Sequence, residues 1–427
     1  MKPVHILRVL LAAIVLGSPL ALTAQSLSDQ PYETRSFSDR FKTLRTQVEG
    51  RELFPPIIDL NTNEHITISF DEMTEEVSYL QYSLVHCNAD WRPSALSDLE
   101  YLDGFNTNPI EEFDFSMATF AHYVHYSLTL PNEDVQFKVS GNYVLLVYPE
   151  NEPERVLLQV CFSVYENNIL VAPSVTSRTD IDYNREHQQV SVTLNANNYR
   201  IQNPYNELKV SVTQNGRRDN EVIVNRPLRI QGSQIFFDHD RNLIFEAGNE
   251  FRRFEMVATR YAGLGVSNIY HFDPYYHVEL TPVKPRSESS YLYDQTQNGR
   301  FVIRQSGASD SDTEADYFVV HFTLDSDPIP GGKIYIDGEL TNHLYSPYNE
   351  MVYNPQTEQY EKTLLLKQGS YNYQYLFLPD GTRTATAAPV EGNYYQTVNE
   401  YLVKVYHRAP GERYDRLIGI GMSYSGR

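Results

Sequence analysis

Apolar and polar side chains alternate one for one in short runs along most of this chain, and that alternation suits strands rather than helices. In Val77–Val85 it puts Leu80, Tyr82 and Leu84 on one face and Tyr79, Gln81 and Ser83 on the other. In Arg155–Tyr165 it aligns Val156, Leu158, Val160, Phe162 and Val164, and in Gln188–Asn195 it aligns Val190, Val192 and Leu194. Pro131, Asn215-Gly216 and Pro379-Asp380-Gly381 punctuate the runs as turns. No amphipathic helical pattern extends beyond about two or three turns. The 33 tyrosines, against a single tryptophan, fit pleated and half-buried surfaces. The reading is an all-β chain of tandem Ig-like, early-set β-sandwich domains.

The 427 residues are enough for several such domains. Residues 1–24 read as a signal peptide. Lys2 and Arg8 give a positive start, Val9–Leu16 an apolar core too short to span a membrane, and Gly17 and Pro19 a break before Ala24. Residues 25–54 are polar and read as an exposed arm. An N-terminal β-sandwich is expected over 55–168 and a middle one over 169–285. A linker is expected over 286–314, a C-terminal early-set sandwich over 315–410, and a tail over 411–427. No other stretch is long or apolar enough to span a membrane as a helix, so the mature chain is expected to be soluble after export. Losing Lys2 and Arg8 takes the formal charge from −20 to about −22. Such acidity argues against nucleic acid or an anionic lipid surface as partner.

Candidate chemistry is sparse. Cys87 and Cys161 both lie in the exported part, where an oxidising compartment permits a bridge between two strands of the first domain; two free buried thiols are the alternative. Two cysteines alone do not make a four-ligand zinc site. Trp91 sits where Asn88–Pro93 breaks a strand, a place for a ring that plugs the end of a sandwich core or, alternatively, anchors a partner. Tyr371, Tyr373 and Tyr375 share one strand face and are candidate partner contacts, because tyrosine-rich rims suit protein surfaces that meet. His122 and His125, three apart on a strand, point to opposite faces. Asp238-His239-Asp240 has no accompanying nucleophile motif and reads as a polar hairpin tip. Asp310, Asp312, Glu314 and Asp316 are dense enough for calcium but lack the spacing of its helix-loop-helix site, so they read as a solvated acidic loop. No catalytic, cofactor-binding or metal-binding set is expected, nor a small-molecule substrate, and a binding role is favoured over an enzymatic one.

Two resemblances add to this. The order strand, Gly338–Asn342 turn (GELTN), amphipathic strand, QGSYNYQYLF, Pro379-Asp380-Gly381 turn and strand resembles early-set Ig-like modules that bind glycogen and starch. Those modules stack sugar on a tryptophan after the turn, and here that position is His343. A periplasmic or surface carbohydrate-binding protein is therefore the alternative reading. Longer strings carry the second resemblance: YSLVHCNADWRPS followed by EYLDGF, SGNYVLLVYPEN, SSYLYDQTQNGRFVIRQ, LLLKQGSYNYQY, and EGNYYQTVNEYLVKVYHRAPGERYDRLIGIG. Together they resemble the plug proteins of the type IX secretion system of Bacteroidetes. That resemblance implies a periplasmic, non-enzymatic protein that closes the periplasmic end of a large outer-membrane β-barrel translocon when no cargo is present. The family offers no catalytic residues to carry over, and Cys161 departs from a more usual apolar residue.

Overall fold

Leu80, Tyr82 and Leu84 turn inward as their spacing demands, and they meet Ile66, Ile68 and Phe70 from a facing sheet. In the computed structural model, which describes residues 30–426, these strands form the first of three β-sandwiches; the expected signal peptide lies outside the described residues. One sheet runs Phe41–Val48, Ile66–Glu72, Val124–Leu130, Glu112–Phe115. The other is centred on Gly141–Pro149, between Leu80–Cys87 and Leu158–Tyr165. The expected arm over 25–54 needs correction, because Phe41–Val48 is a strand with both its ends buried. It reads as an arm because Thr43 and Arg45 are polar, yet both side chains bond to the third sandwich.

The second sandwich is discontinuous. Its sheets join Leu170–Thr176, His187–Asn195 and Gln234–Phe237 on one side and Leu208–Gln214, Glu400–His407 and Arg416–Tyr424 on the other. Its core accordingly mixes Val190, Val192 and Val210 with Tyr401, Val403, Val405 and Ile418. The third sandwich is inserted between these halves. One of its sheets pairs Gly369–Pro379 with Arg252–Glu255, Phe301–Ile303 and Gly332–Asp337. The other orders Val266–Phe272, Tyr275–Leu280, Tyr317–Leu324, Gln359–Lys367 and Val352–Asn354.

The expected boundaries therefore do not fall where the sheets divide. Arg252–Leu280 leaves the middle block for the third sandwich, the linker over 286–314 contains the paired strand Phe301–Ile303, and the tail over 411–427 contains Arg416–Tyr424. The reason is physical: alternation specifies which face of a strand is buried, but not which strand it pairs with. Among the described residues no helix is long and apolar enough to cross a membrane.

His86 shows how closely the first sandwich is packed. It is 1% exposed, its Nδ1 lies 2.8 Å from Ser94 Oγ, and its Nε2 lies 3.1 Å from the Ser140 carbonyl oxygen. Gly141 makes room for it, since a Cβ there would lie 2.3 Å from Nε2. Burial pulls the His86 imidazole down to about 4. A histidine depressed in this way leaves the folded state fully stable above the unfolded value near 6.5, and stability is lost as pH falls from there towards 4. Chemical denaturation at pH 7 and pH 5 is expected to show a loss of about 2 kcal/mol from this group, and a His86→Gln variant to lack that part of the slope.

Candidate functional site at the sandwich junctions

Core residues alternate with outward ones, so Asp71 points out of Ile66–Glu72 and Lys367 out of Gln359–Lys367. The two meet where the first sandwich packs on the third. Lys367 Nζ lies 2.6 Å from Asp71 Oδ2, with neither side chain exposed. The same carboxylate accepts the Tyr317 hydroxyl at 2.6 Å and sits 2.6 Å from His125 Nδ1. Lys367 also donates to the Asp312 carbonyl oxygen and lies 4.1 Å from the centre of the Tyr123 ring. Burial alone would raise the Asp71 carboxyl, but the Lys367 ammonium and His125 outweigh it and hold it below the usual carboxylate range. The stability it contributes is complete above that range and is lost as pH falls below it, through the lowered folded value.

Part of the acidic run at 310–316 belongs to this junction: Asp310 is exposed, as the reading of a solvated loop has it, but Asp312 and Asp316 reach the first sandwich. Asp312 pairs with Arg45 at 2.6 Å, and the Asp316 carboxylate accepts the backbone N–H groups of Phe120 and Ala121 at 2.8 and 3.0 Å. Asp310 caps the short helix Ser311–Glu314 by accepting from the Asp312 N–H. Of the two histidines singled out, His125 is buried against Asp71 and His122 is exposed.

The other junctions follow the same pattern. Between first and second sandwiches, Asp415 accepts from the Ala89 N–H at 3.0 Å and from Lys209 at 2.9 Å, and Tyr406 donates to Asn142 Oδ1 at 2.8 Å. Trp91 is buried beside this seam, with φ +60° and its ring 4.4 Å from the Arg218 guanidinium and 4.8 Å from Lys404 Nζ. It is no exposed anchor. Burial brings the Lys404 ammonium down to about 8. Between second and third sandwiches, Arg300 grips Glu400 at 2.6 Å and Asn298 donates to Asn215 at 2.9 Å. Within the third, burial would raise Glu391, but Arg252 and Arg286 bring it down to about 2.

The remaining sequence candidates are structural in the same sense. Cys87 and Cys161 are buried and unbridged, correcting the disulfide candidate. Gly141–Pro149 runs between their strands, with Asn142 opposite Cys87 and Val144 opposite Cys161. Two strand spacings are roughly 10 Å, beyond the reach of a disulfide. Burial pushes both thiols up, Cys161 to about 11. Tyr371, Tyr373 and Tyr375 are 2%, 3% and 1% exposed, so they are core residues and not partner contacts. Tyr371 stacks between Phe254 and Phe301, with ring centroids 5.0 and 5.2 Å away. Their strand lies in the middle of its sheet with both faces covered, and Asn372 and Gln374 are buried too. The His343 side chain is 8% exposed, 3.1 Å from Asp337 Oδ1 and close to Gly216 of the second sandwich, so it offers sugar no platform. His239 pairs with Asp180 at 2.9 Å on an exposed tip. Among the described residues no group of three or more His, Cys, Asp or Glu is placed to hold a metal.

Reading the sequence missed Asp71, Lys367 and Asp415. The available signal was a charge closing an otherwise apolar strand, as in Ile66–Glu72 (ITISFDE) and the LLLK of Gln359–Lys367. What the geometry defines is an all-β scaffold of three sandwiches locked together by buried polar contacts.

The first sandwich identifies the scaffold. Residues 41–166 match the family model described as the type 9 secretion system plug protein 1st domain, and the chain belongs to that plug protein family. The whole architecture is shared with a crystal structure of a hypothetical protein from Parabacteroides merdae, which is 48% identical with a TM-score of 0.91; the match covers 92% of this chain and 99% of that one. An alkylpurine DNA glycosylase of Pseudomonas fluorescens aligns over 29% of this chain and 30% of its own at 10% identity and a TM-score of 0.18, too low to carry any argument. No curated protein matches.

Removing one partner of a buried ion pair strands the other, so Lys367→Ala is expected to cost about 3–5 kcal/mol in chemical denaturation. The double change Asp71→Asn, Lys367→Met is expected to cost clearly less. A thiol-titrating reagent is expected to find no reactive thiol in the native chain and both Cys87 and Cys161 after denaturation without reductant.

Proposed function

We propose that this protein is a non-enzymatic, periplasmic component of type IX protein secretion that seals the periplasmic opening of the outer-membrane translocon barrel when cargo is absent. The family match over residues 41–166 is the observation that carries this reading. Physical considerations support it. A barrel wide enough for folded cargo leaks unless something covers it. A cover must resist deformation, and buried, hydrogen-bonded charges at every junction supply that resistance. A cover that comes off again needs an interface of moderate size and substantial polarity, which a chain of formal charge −20 can present.

The partner in this reading is a large outer-membrane β-barrel, with membrane association through that partner alone. Export would rest on the signal peptide expected at residues 1–24. No cofactor, nucleic acid or small-molecule substrate enters the proposal. The carbohydrate-binding alternative loses its support, because the position of the stacking tryptophan is taken by His343, held against Asp337. Affinity purification of the tagged protein from its own outer membrane, with cargo depleted, is expected to recover a very large β-barrel protein. A soluble monomer without a barrel partner under gentle extraction would overturn the sealing role.

A further inference from the structure

One strand of the first sandwich departs from how a finished sheet edge is built. Glu112–Phe115 is the outer strand of its sheet, paired on one side with Val124–Leu130 and with no strand on the other among the described residues. All four of its residues are exposed. Phe113 and Phe115 lie on the core side of the strand, with Phe113 6.2 Å from the buried Tyr126 ring, yet they are 40% and 50% exposed. They sit at the margin of the core and are left partly uncovered. Phe113 and Phe115 also meet each other edge to face, with ring centroids 6.2 Å apart.

Natural sheets guard such edges with charge. Here every guard has one sign. Glu111, Glu112 and Asp114 flank the phenylalanines, and between Arg92 and Lys138 the chain has eight carboxylates and no lysine or arginine. An edge guarded in this way repels acidic strands, including a second copy of itself, and attracts basic ones. The strand is also held ready. Ser116 N–H donates to the Tyr123 carbonyl, and Met117 N–H donates to the Thr313 carbonyl of the third sandwich, both at 2.9 Å. Its conformation is therefore set before anything docks.

From this we infer that Glu112–Phe115 is a docking strand for an extended segment of a partner protein in which apolar and basic side chains alternate. Added beside it, the incoming apolar residues cover Phe113 and Phe115, while the basic ones face Glu112 and Asp114. The strand partner is defined by that chemistry, and the inference stands on the edge itself whether or not the protein seals a barrel.

The test uses the full chain and a short capped peptide alternating lysine and valine, with a glutamate–valine counterpart and a scrambled lysine–valine form. Binding is read by fluorescence anisotropy, and the contact by hydrogen exchange. The lysine–valine peptide is expected to bind and to slow exchange at Glu112–Phe115, and the two control peptides to bind at least about tenfold more weakly. A Glu112→Lys, Asp114→Lys chain is expected to lose about tenfold in affinity, and Phe115→Ser to lose affinity with no change of charge. All four residues are exposed, so both variants are expected to keep the parent melting profile. Equal affinity in the charge-reversed chain, equal binding of the scrambled peptide, or protection on another strand would each overturn the inference.

Discussion

The contact on which the arrangement of sandwiches most depends is the pair of Asp71 and Lys367. Two full charges taken out of water cost several kcal/mol each, and they are tolerable only when every lone pair and proton finds a partner. Asp71 meets that condition through Lys367, Tyr317 and His125, and Lys367 through Asp71, the Asp312 carbonyl and the Tyr123 ring. Those partners come from both sandwiches. A small slip of one on the other would leave a buried charge unmatched. The pair thus contributes less to net stability than to selecting one relative orientation of the first and third sandwiches.

Chain path reinforces that selection. The second sandwich is left after Ile244–Glu246 and rejoined at Glu400–His407, so the third is tethered to it at both ends. Arg300–Glu400 then closes the junction at the point of re-entry. Three modules joined only in tandem would flex as beads on a string. These are bonded pairwise, the first to the second through Asp415 and the first to the third through Asp71. A body of that kind can transmit force across its width, which suits a role in covering an opening.

How much was legible before the structure follows from what alternation encodes. Inward residues such as Leu80, Tyr82, Val190 and Val192 are legible because a period of two assigns a face. The family was legible too, because long strings such as YSLVHCNADWRPS depend on no single residue. Partner-contact residues were not. Tyr371, Tyr373 and Tyr375 carry the composition of a rim, but their strand has neighbours on both edges and cover on both faces. Asp312 and Asp316 look exposed in sequence, since nothing local announces that they reach another sandwich.

By itself, then, the sequence determined an all-β chain, the buried face of most strands, and membership of the plug protein family. Those properties are set by side chains and their near neighbours along the chain. Tertiary structure alone decided that Glu400–His407 completes the second sandwich, that Cys87 and Cys161 lie on either side of an intervening strand, and that Asp71 finds Lys367. Each of these is a contact between residues distant in sequence. Strands of the same period are interchangeable until packing, register and the pairing of buried charge choose among them.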